Sequence, residues 1–587
     1  MLGKVQTCFP SAPTVAAPKP VAESLMLQDA RDLTDGQLLE ADICIAGAGA
    51  AGIAIALELL DSGLEVILLE SGGLKEERAS QALYTGTVAD AQLHSPPDRY
   101  RQRRLGGSTT LWGGRCVPFD DIDFEERPYL PGSGWPFARA ALEPYYRRAN
   151  ELCEAGQFAY TADEAFASPL PPVVPGFAST DYSTHRLERF SCPTNFGQRY
   201  RRRLASARNL RVLLHANIVQ LSLNEAGTRV TEVGLRTLEG KTCRVHARHH
   251  VLALGGLEVA RILLANRDTH REGIGNDRDL VGRNYMCHIA GTVGTLELSD
   301  PAAVISHGYD LAEGGVYCRR RFALNAATQR RLGIGNFIAR LHHPRITDPQ
   351  HDTGILSLLY LAKDFIPYEY AKRLYGGEPA TWRQWLGHVG NVCADPADTA
   401  GFLWNWYRRR HLATRKLPSI VVWPRARRFS LDFHSEQQPQ AASRVRLNEQ
   451  RDALGMPQLH VDWRYTPWDI HTVRCSLALF ARDVRNSGIG TFTYDAAELE
   501  AEILRDGAYG GHHIGTTRMG DDPRTSVVNA DGRVHGVGNL SIAGSATFPT
   551  SSQANPTLTV VALAVRLAAH LKQQLQANCP VVRNVPA

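Results

Sequence analysis

The stretch ADICIAGAGAAGIAIALELLDSGLEVILLE, residues 41–70, decides the architecture. Ile43 to Ala46 predict a short apolar strand, and Gly47, Gly49 and Gly52 follow it as G-x-G-x-x-G. Residues 50–60 are rich in Ala, Ile and Leu, which suits a buried helix that Ser62-Gly63 stops. Leu64 to Leu69 predict a second strand ending at Glu70, completing one βαβ unit. Gly47 permits the tight turn, Gly49 lets backbone approach a pyrophosphate, and Gly52 lets the helix pack on the strand. The free N–H groups and positive dipole end of the helix face the phosphates. Glu70 stands 18 residues past Gly52 and can accept hydrogen bonds from ribose hydroxyls. Its charge repels a 2′-phosphate, which favours FAD or NAD over NADP. The bland account is a glycine-rich turn in an ordinary αβ crossover, but strand, helix, strand and acid in register favour dinucleotide binding.

Working outward, RQRRLGGSTTLWGGRC at 101–116 places two glycine pairs around Ser-Thr-Thr-Leu-Trp. Glycines this dense let backbone press flat against a ligand. Residues 210–254 alternate like the strands of a meander, which predicts a small antiparallel sheet inserted in the dinucleotide-binding fold, and GGLEVARILLAN reads as a turn and helix. Near the C-terminus, NLSIAG predicts a strand ending at Gly544, and NPTLTVVALAVRLAAHL a helix with Pro556 in its first turn. That order puts Asn555 where a ligand would sit.

The 587 residues suffice for several domain-sized units, or for two interleaved ones. With 43% hydrophobic and 21% charged residues the composition is globular, and a net charge of +5 at this size excludes a dedicated nucleic-acid binder. Eleven cysteines with no C-x-x-C pair read as reduced thiols of a cytoplasmic protein without a metal site. No apolar run reaches about 18 residues, the length of a spanning helix. Residues 1–25 are Ala/Pro-rich, lack a continuous apolar leader, and read as a flexible arm. Residues 401–430 carry eight Lys/Arg and no acid, interleaved with Trp404, Trp406, Tyr407 and Trp423. The bland account is a solvated face whose aromatics reach the core; the alternative is a peripheral contact with a membrane surface or a protein. Nucleic acid is the weakest reading, because four aromatics alone do not make a stacking platform.

Four segments together resemble the glucose-methanol-choline (GMC) oxidoreductase family, in the style of its pyranose-oxidase-like and sugar-dehydrogenase-like bacterial members. They are the glycine unit with Glu70, GGSTTLWGG, HHIGTTRMG and GSATFPTSSQANPTLTVVALAVR. The resemblance implies an α/β (α+β) flavoprotein with a Rossmann-like FAD-binding domain interleaved with a substrate-binding domain built on a β-sheet. The FAD domain is expected from 26–150, 200–300 and 505–587, and the substrate domain from 151–199 and 301–504. The family's catalytic histidine falls on His512, with His513 as a neighbour of no fixed role; the second position, His or Asn, falls on Asn555. Cofactor contacts are implied at Gly47, Gly49, Ala50, Ala51, Gly52, Glu70 and Ser71, and at Arg104, Gly106, Gly107, Ser108, Leu111, Trp112, Gly113 and Gly114. Further contacts are implied at Ile218, Gly255, Gly544, Ser545, Asn555, Pro556 and Thr557.

Some sugar-oxidising relatives bond flavin covalently through a histidine in the glycine loop. Counting from Gly106-Gly107, that position is Leu111, which implies noncovalent FAD. The implied reaction oxidises a hydroxyl of a sugar, glycoside or polyol-like alcohol, with neutral His512 taking the proton. Dioxygen, a quinone or a protein carrier can serve as electron acceptor. Two other readings stay open: a non-redox lyase on the same fold, and a flavin subunit docked on a membrane electron-transfer partner.

Overall fold

The computed structural model describes residues 27–300, 302–365, 381–424, 427–505, 507–508 and 511–577. The arm expected at 1–25 lies outside them. The first sheet orders its strands Leu27–Asp29, Leu210–Leu214, Val66–Leu69, Gln37–Ala46, Thr242–Leu252, Val230–Arg236 and Asn217–Leu223, with Leu540–Ile542 also paired to Thr242–Leu252. The first five run parallel, and the last two are antiparallel. Strands such as Val66–Leu69 are buried along their whole length, as a parallel sheet covered on both faces requires.

Two predicted boundaries shift. The first strand starts at Gln37, because its polar half pairs with the first half of Thr242–Leu252. The meander at 217–252 is not a separate inserted sheet; Thr242–Leu252 bonds directly to Gln37–Ala46, so the antiparallel strands extend the dinucleotide-binding sheet.

The helix Ala50–Glu58 packs between this sheet and the long helix Thr557–Ala577, which in turn packs on Glu143–Leu152. Its small side chains make the close approach possible. A Cβ on Gly52 would lie 1.9 Å from the Gly47 carbonyl oxygen, so only glycine fits there. Gly47 has φ +98°, and a Cβ there would meet the Ala253 carbonyl oxygen at 2.6 Å.

The second sheet is antiparallel, in the order Gly490–Thr493, Ile289–Leu298, Arg428–Ser435, Phe337–His342, Phe322–Leu324 and Tyr182–Ser183. Ile289–Leu298 therefore belongs to the sheet of the second layer and not, as the 200–300 boundary implied, to the FAD domain. Its hydrogen bonds to Arg428–Ser435 decide the matter, since an alternating strand fits either sheet locally. The helix Pro467–Asn486 covers this sheet and starts at a capping box, with Thr466 and Asp469 bonded reciprocally. A smaller sheet joins Arg115–Cys116 to Leu187–Phe190 and Val316–Arg320.

The two layers meet at a buried polar seam. Arg127 donates two hydrogen bonds to Glu436, at 2.6 and 2.8 Å, with both side chains nearly inaccessible. Asp123 accepts from Ser552 Oγ at 2.6 Å and from Asn336 Nδ2 at 3.0 Å. Burial, reinforced by the nearby Glu436 and Asp120 charges, pushes the Asp123 carboxyl up to about 7. Beside it, Phe119 packs edge to face with Trp135 and Phe548, which tilt against each other, with centroids 5.2–5.9 Å apart.

Candidate active site

Between the layers lies a cavity of about 480 Å³. Three helices point their N-termini into it: Ala50–Glu58 behind Gly49, Gly256–Ala265 behind Gly255, and Thr557–Ala577 behind Asn555 and Pro556. Such ends present unpaired N–H groups and positive dipoles to an anion. A Cβ built on Gly49, Gly113, Gly255 or Gly544 would meet no atom within 4 Å, so these four backbones face open space in the cavity wall. Buried Arg101 also lines the cavity, with neither terminal nitrogen hydrogen-bonded among the described residues. Burial holds its guanidinium below the usual range, and Glu258, 3.5 Å away, opposes this only partly. Glycine turns, positive helix ends and orphaned guanidinium donors fit a dinucleotide carrying a pyrophosphate.

Most sequence-predicted contacts line this cavity: Gly47, Gly49, Ala50, Ala51, Glu70, Ser71, Gly107, Ser108, Leu111, Trp112, Gly113, Ile218, Gly255, Gly544, Ser545, Asn555, Pro556 and Thr557. Four do not. Gly52 seats the first helix, and Gly106 and Gly114 turn the loop with φ of +98° and +77° against Gly197 and Ser191. Arg104 lies behind the loop with its Nε buried. Glu70 is already engaged by protein: it accepts from the Ala48 N–H at 3.1 Å, the Gly72 N–H at 2.9 Å and Ser71 Oγ at 3.3 Å. Burial nevertheless raises its carboxyl above the ordinary value. Tyr84, Arg101 and Arg103 escaped the sequence reading; both arginines stack on Tyr84, at 3.8 and 4.3 Å from the ring centre. Runs of arginine are common on surfaces, and burial is what distinguishes these two.

At the other end of the cavity His512 Nε2 lies 3.1 Å from Asn555 Nδ2. Asn555 Oδ1 accepts from Arg115 Nη1 at 3.4 Å, and Arg115 pairs with buried Glu188 at 3.5 Å. Burial opposes the Glu188 charge, but Arg115, Arg340 and Arg321 outweigh it and hold the carboxyl at about 2. His512 Nδ1 lies 2.8 Å from Nδ1 of His288, a residue the sequence reading did not single out. Withdrawal from water, then the His288 and Arg115 neighbours, hold His512 well below the ordinary histidine value.

The adjacent His513 turns away from Asn555. Its Nδ1 meets the Tyr285 hydroxyl at 2.6 Å, and that hydroxyl also meets His94 Nε2 at 2.8 Å and Cys287 Sγ at 3.4 Å. The nitrogen and sulfur donors of His94, Cys287 and His513 lie within 4.8 Å of one another, with the Tyr285 hydroxyl bonded to all three.

The segment 401–430 divides in two. Pro418 and Ser419 line the cavity beside Trp112, Arg115 and Phe190. The helix Pro396–Tyr407 leaves Trp404 63% exposed, and Trp423 is 52% exposed, so these aromatics do not reach the core as the bland account expected. Ile420 and Val422 anchor the segment instead, packing with Ile355 and Leu356. No helix among the described residues is long and apolar enough to cross a membrane.

This fold and cleft define an FAD-dependent oxidoreductase. Residues 42–397 match the family model described as FAD dependent oxidoreductase, and residues 439–564 match that described as GMC oxidoreductase. The chain belongs to the GMC oxidoreductase family. It is 24% identical to paromamine 6'-oxidase of Streptomyces fradiae over 90% of each chain. It is 25% identical to the fructose dehydrogenase large subunit of Gluconobacter japonicus, over 91% of this chain and 98% of that one. Among solved structures, pyridoxine 4-oxidase from Mesorbium loti shares the fold with a TM-score of 0.54 and 17% identity, over 90% of this chain and 98% of that one.

The glycines separate folding from cofactor binding. Gly52→Ala should destabilise the apoprotein by about 1–3 kcal/mol through overpacking against Gly47. Gly49→Ala should leave the urea midpoint unchanged yet lower FAD retention, because its Cβ enters only the cavity. Equal midpoint losses for the two variants would contradict this division.

Proposed function

We propose that the protein oxidises a hydroxyl of a sugar, glycoside or polyol-like alcohol to a carbonyl, with His512 as base and Asn555 as its partner. The observation that carries the proposal is the pairing of His512 Nε2 with Asn555 Nδ2 at the wall of the glycine-lined cavity. Bound FAD supplies the acceptor for the hydride leaving the carbinol carbon. His512 is kept neutral by its surroundings and takes the hydroxyl proton. The Asn555 amide donates to the same oxygen and stabilises the charge that develops there. The substrate class rests on the relatives, whose names specify paromamine and fructose. The cavity supports it too: its lining includes the aromatic Trp112 and Phe190 and the hydrogen-bonding Arg115 and Ser419.

FAD in this reading is noncovalent, because Leu111 lines the cavity at the position of the covalent histidine and cannot form the bond. Acid precipitation should release all the flavin into the supernatant; colour left in the washed pellet would refute this.

The exposed half of the inserted helices forms the peripheral contact. Trp404 and Leu412 are each more than half exposed, on either side of Arg408, Arg409 and Arg410 in the chain, and acids are absent from 401–430. Aromatic and basic side chains together suit an anionic lipid surface. Each such charge is worth about 1 kcal/mol near the surface. Reversing Arg408, Arg409 and Arg410 to Glu should therefore cut sedimentation with phosphatidylserine vesicles by more than about 100-fold at low salt. Unchanged sedimentation across low and high salt would leave only a solvated face.

The ordering of three variants tests the base. His512→Ala should retain FAD and slow anaerobic flavin reduction by about 10²–10⁴. Asn555→Ala should cost less, about 10²–10³, because it removes a donor and not the proton acceptor. His513→Ala should cost least, since its ring meets Tyr285. The base must be neutral, and its pKa is depressed, so kcat/KM should fall only as pH drops well below the ordinary histidine value of 6.5. A His513→Ala variant slower than His512→Ala would exchange the two roles.

A further inference from the structure

We infer that His288 is a positioning residue that fixes the tautomer of His512 and so leaves its Nε2 free of hydrogen; this rests on the reading of His512 as base. His288 is fully buried, one residue before the strand Ile289–Leu298 of the second sheet. Its Nε2 lies 3.2 Å from the Ser551 carbonyl oxygen. A carbonyl only accepts, so Nε2 carries the hydrogen. Burial pulls His288 down to about 4 and keeps it neutral, so its Nδ1 holds a lone pair.

That lone pair lies 2.8 Å from His512 Nδ1. A hydrogen bond at this distance needs one donor, so His512 Nδ1 carries the hydrogen. The neutral ring then has its lone pair on Nε2, the atom that faces Asn555. In a neutral imidazole, the bond made by one nitrogen sets the state of the other.

A separate chain of bonds reaches the same tautomer from the opposite side. Asn555 Oδ1 accepts from Arg115, which turns the amide nitrogen toward His512 Nε2 at 3.1 Å. An amide nitrogen only donates, so His512 Nε2 accepts. Hydrogen on Nε2 would set two donors against each other there and two lone pairs against each other at His288. The Ser551 carbonyl and the Arg115 guanidinium thus fix the hydrogen of His512 from both ends. Orientation by a buried partner is how a catalytic histidine is held in its working tautomer, and the wrong tautomer is costly even when geometry is intact.

Two substitutions separate this role from mere filling of space. The amide nitrogen of glutamine falls near the Nε2 position of histidine, and the carbonyl oxygen of asparagine near Nδ1. His288→Gln keeps the bond to Ser551 and loses the acceptor for His512; His288→Asn keeps the acceptor. Anaerobic flavin reduction should slow about 10–100-fold in His288→Gln, as for other outer partners of working groups, with FAD content and substrate dissociation constant unchanged. His288→Asn should restore most of the rate. A purely structural role predicts the reverse order or equal losses, and either result overturns the inference.

A direct measurement does not depend on variant folding. Imidazole ¹⁵N spectra of the wild-type holoenzyme, with His512 assigned by its loss in His512→Gln, should show Nδ1 protonated and Nε2 not. The opposite pattern overturns the inference whatever the rates. If His512→Ala reduces flavin at the normal rate, the base reading fails by itself, while the ¹⁵N spectra still decide which nitrogen His288 holds.

Discussion

The turn from Thr550 to Asn555 has to be polar, buried and rigid at once, and the rest of the site depends on how that is achieved. Thr550 Oγ1 donates to the Asp123 carbonyl and receives from Trp135 Nε1; Ser552 Oγ donates to the Asp123 carboxylate; Ser551 Oγ receives from the Gln437 N–H. Arg321 donates to Gln553 Oε1. Each partner comes from a different part of the chain, so the turn is the point where both layers close on each other. A buried hydroxyl or carbonyl left unpaired costs about 1–3 kcal/mol, so this one turn carries enough polar groups to unmake the interface if its partners were lost. Ser552 adopts φ +54°, which the surrounding bonds hold in place. Asn555 and the N-terminus of the last helix follow directly from this anchored turn.

The same closure sets the electrostatics. The floor of the cavity is made of helix N-termini and backbone N–H groups, and its walls carry buried arginines whose acids are shared. Glu258 serves Arg101, Arg103 and Arg261, and Glu188 serves Arg115 and Arg340. Positive potential in a dry cleft attracts a dinucleotide and makes a second positive charge unwelcome. It therefore favours neutral His512. Burial acts in the same direction as these charges on His512 and against them on Glu188, which is why one group stays neutral and the other stays ionised.

The insertion carrying Trp404 and the three consecutive arginines is built on a different principle. Its core is a small cluster around Ile355, Leu356 and Val422, too small to hide the aromatic side chains that the helices bring. Yet the same segment continues into Pro418 and Ser419 at the cavity wall, and Tyr309 holds Ser419 by a 2.6 Å hydrogen bond. The exposed helix and part of the cavity wall thus belong to one continuous segment.

The sequence by itself determined the βαβ unit, the glycine turns and the position of Asn555 between a strand and a helix N-terminus, because each rests on short-range rules; His512 was singled out through the resemblance of its motif to the family's. Gly52 is dictated by contact with Gly47 five residues away, and the helix after Pro556 by its own composition. Glu70 was legible as an acid at the strand end, though not as a brace for the Ala48 and Gly72 N–H groups. Only the tertiary structure decided that Ile289–Leu298 joins the second sheet, since an alternating strand satisfies either layer until its neighbours are chosen. It alone brought His288 to His512 across 224 residues and buried Arg101 and Arg103 against Tyr84. Hydrogen bonds between side chains far apart in sequence leave no periodicity to read. Which nitrogen of His512 carries its hydrogen is therefore written in the packing of the two layers and not in the motif that contains it.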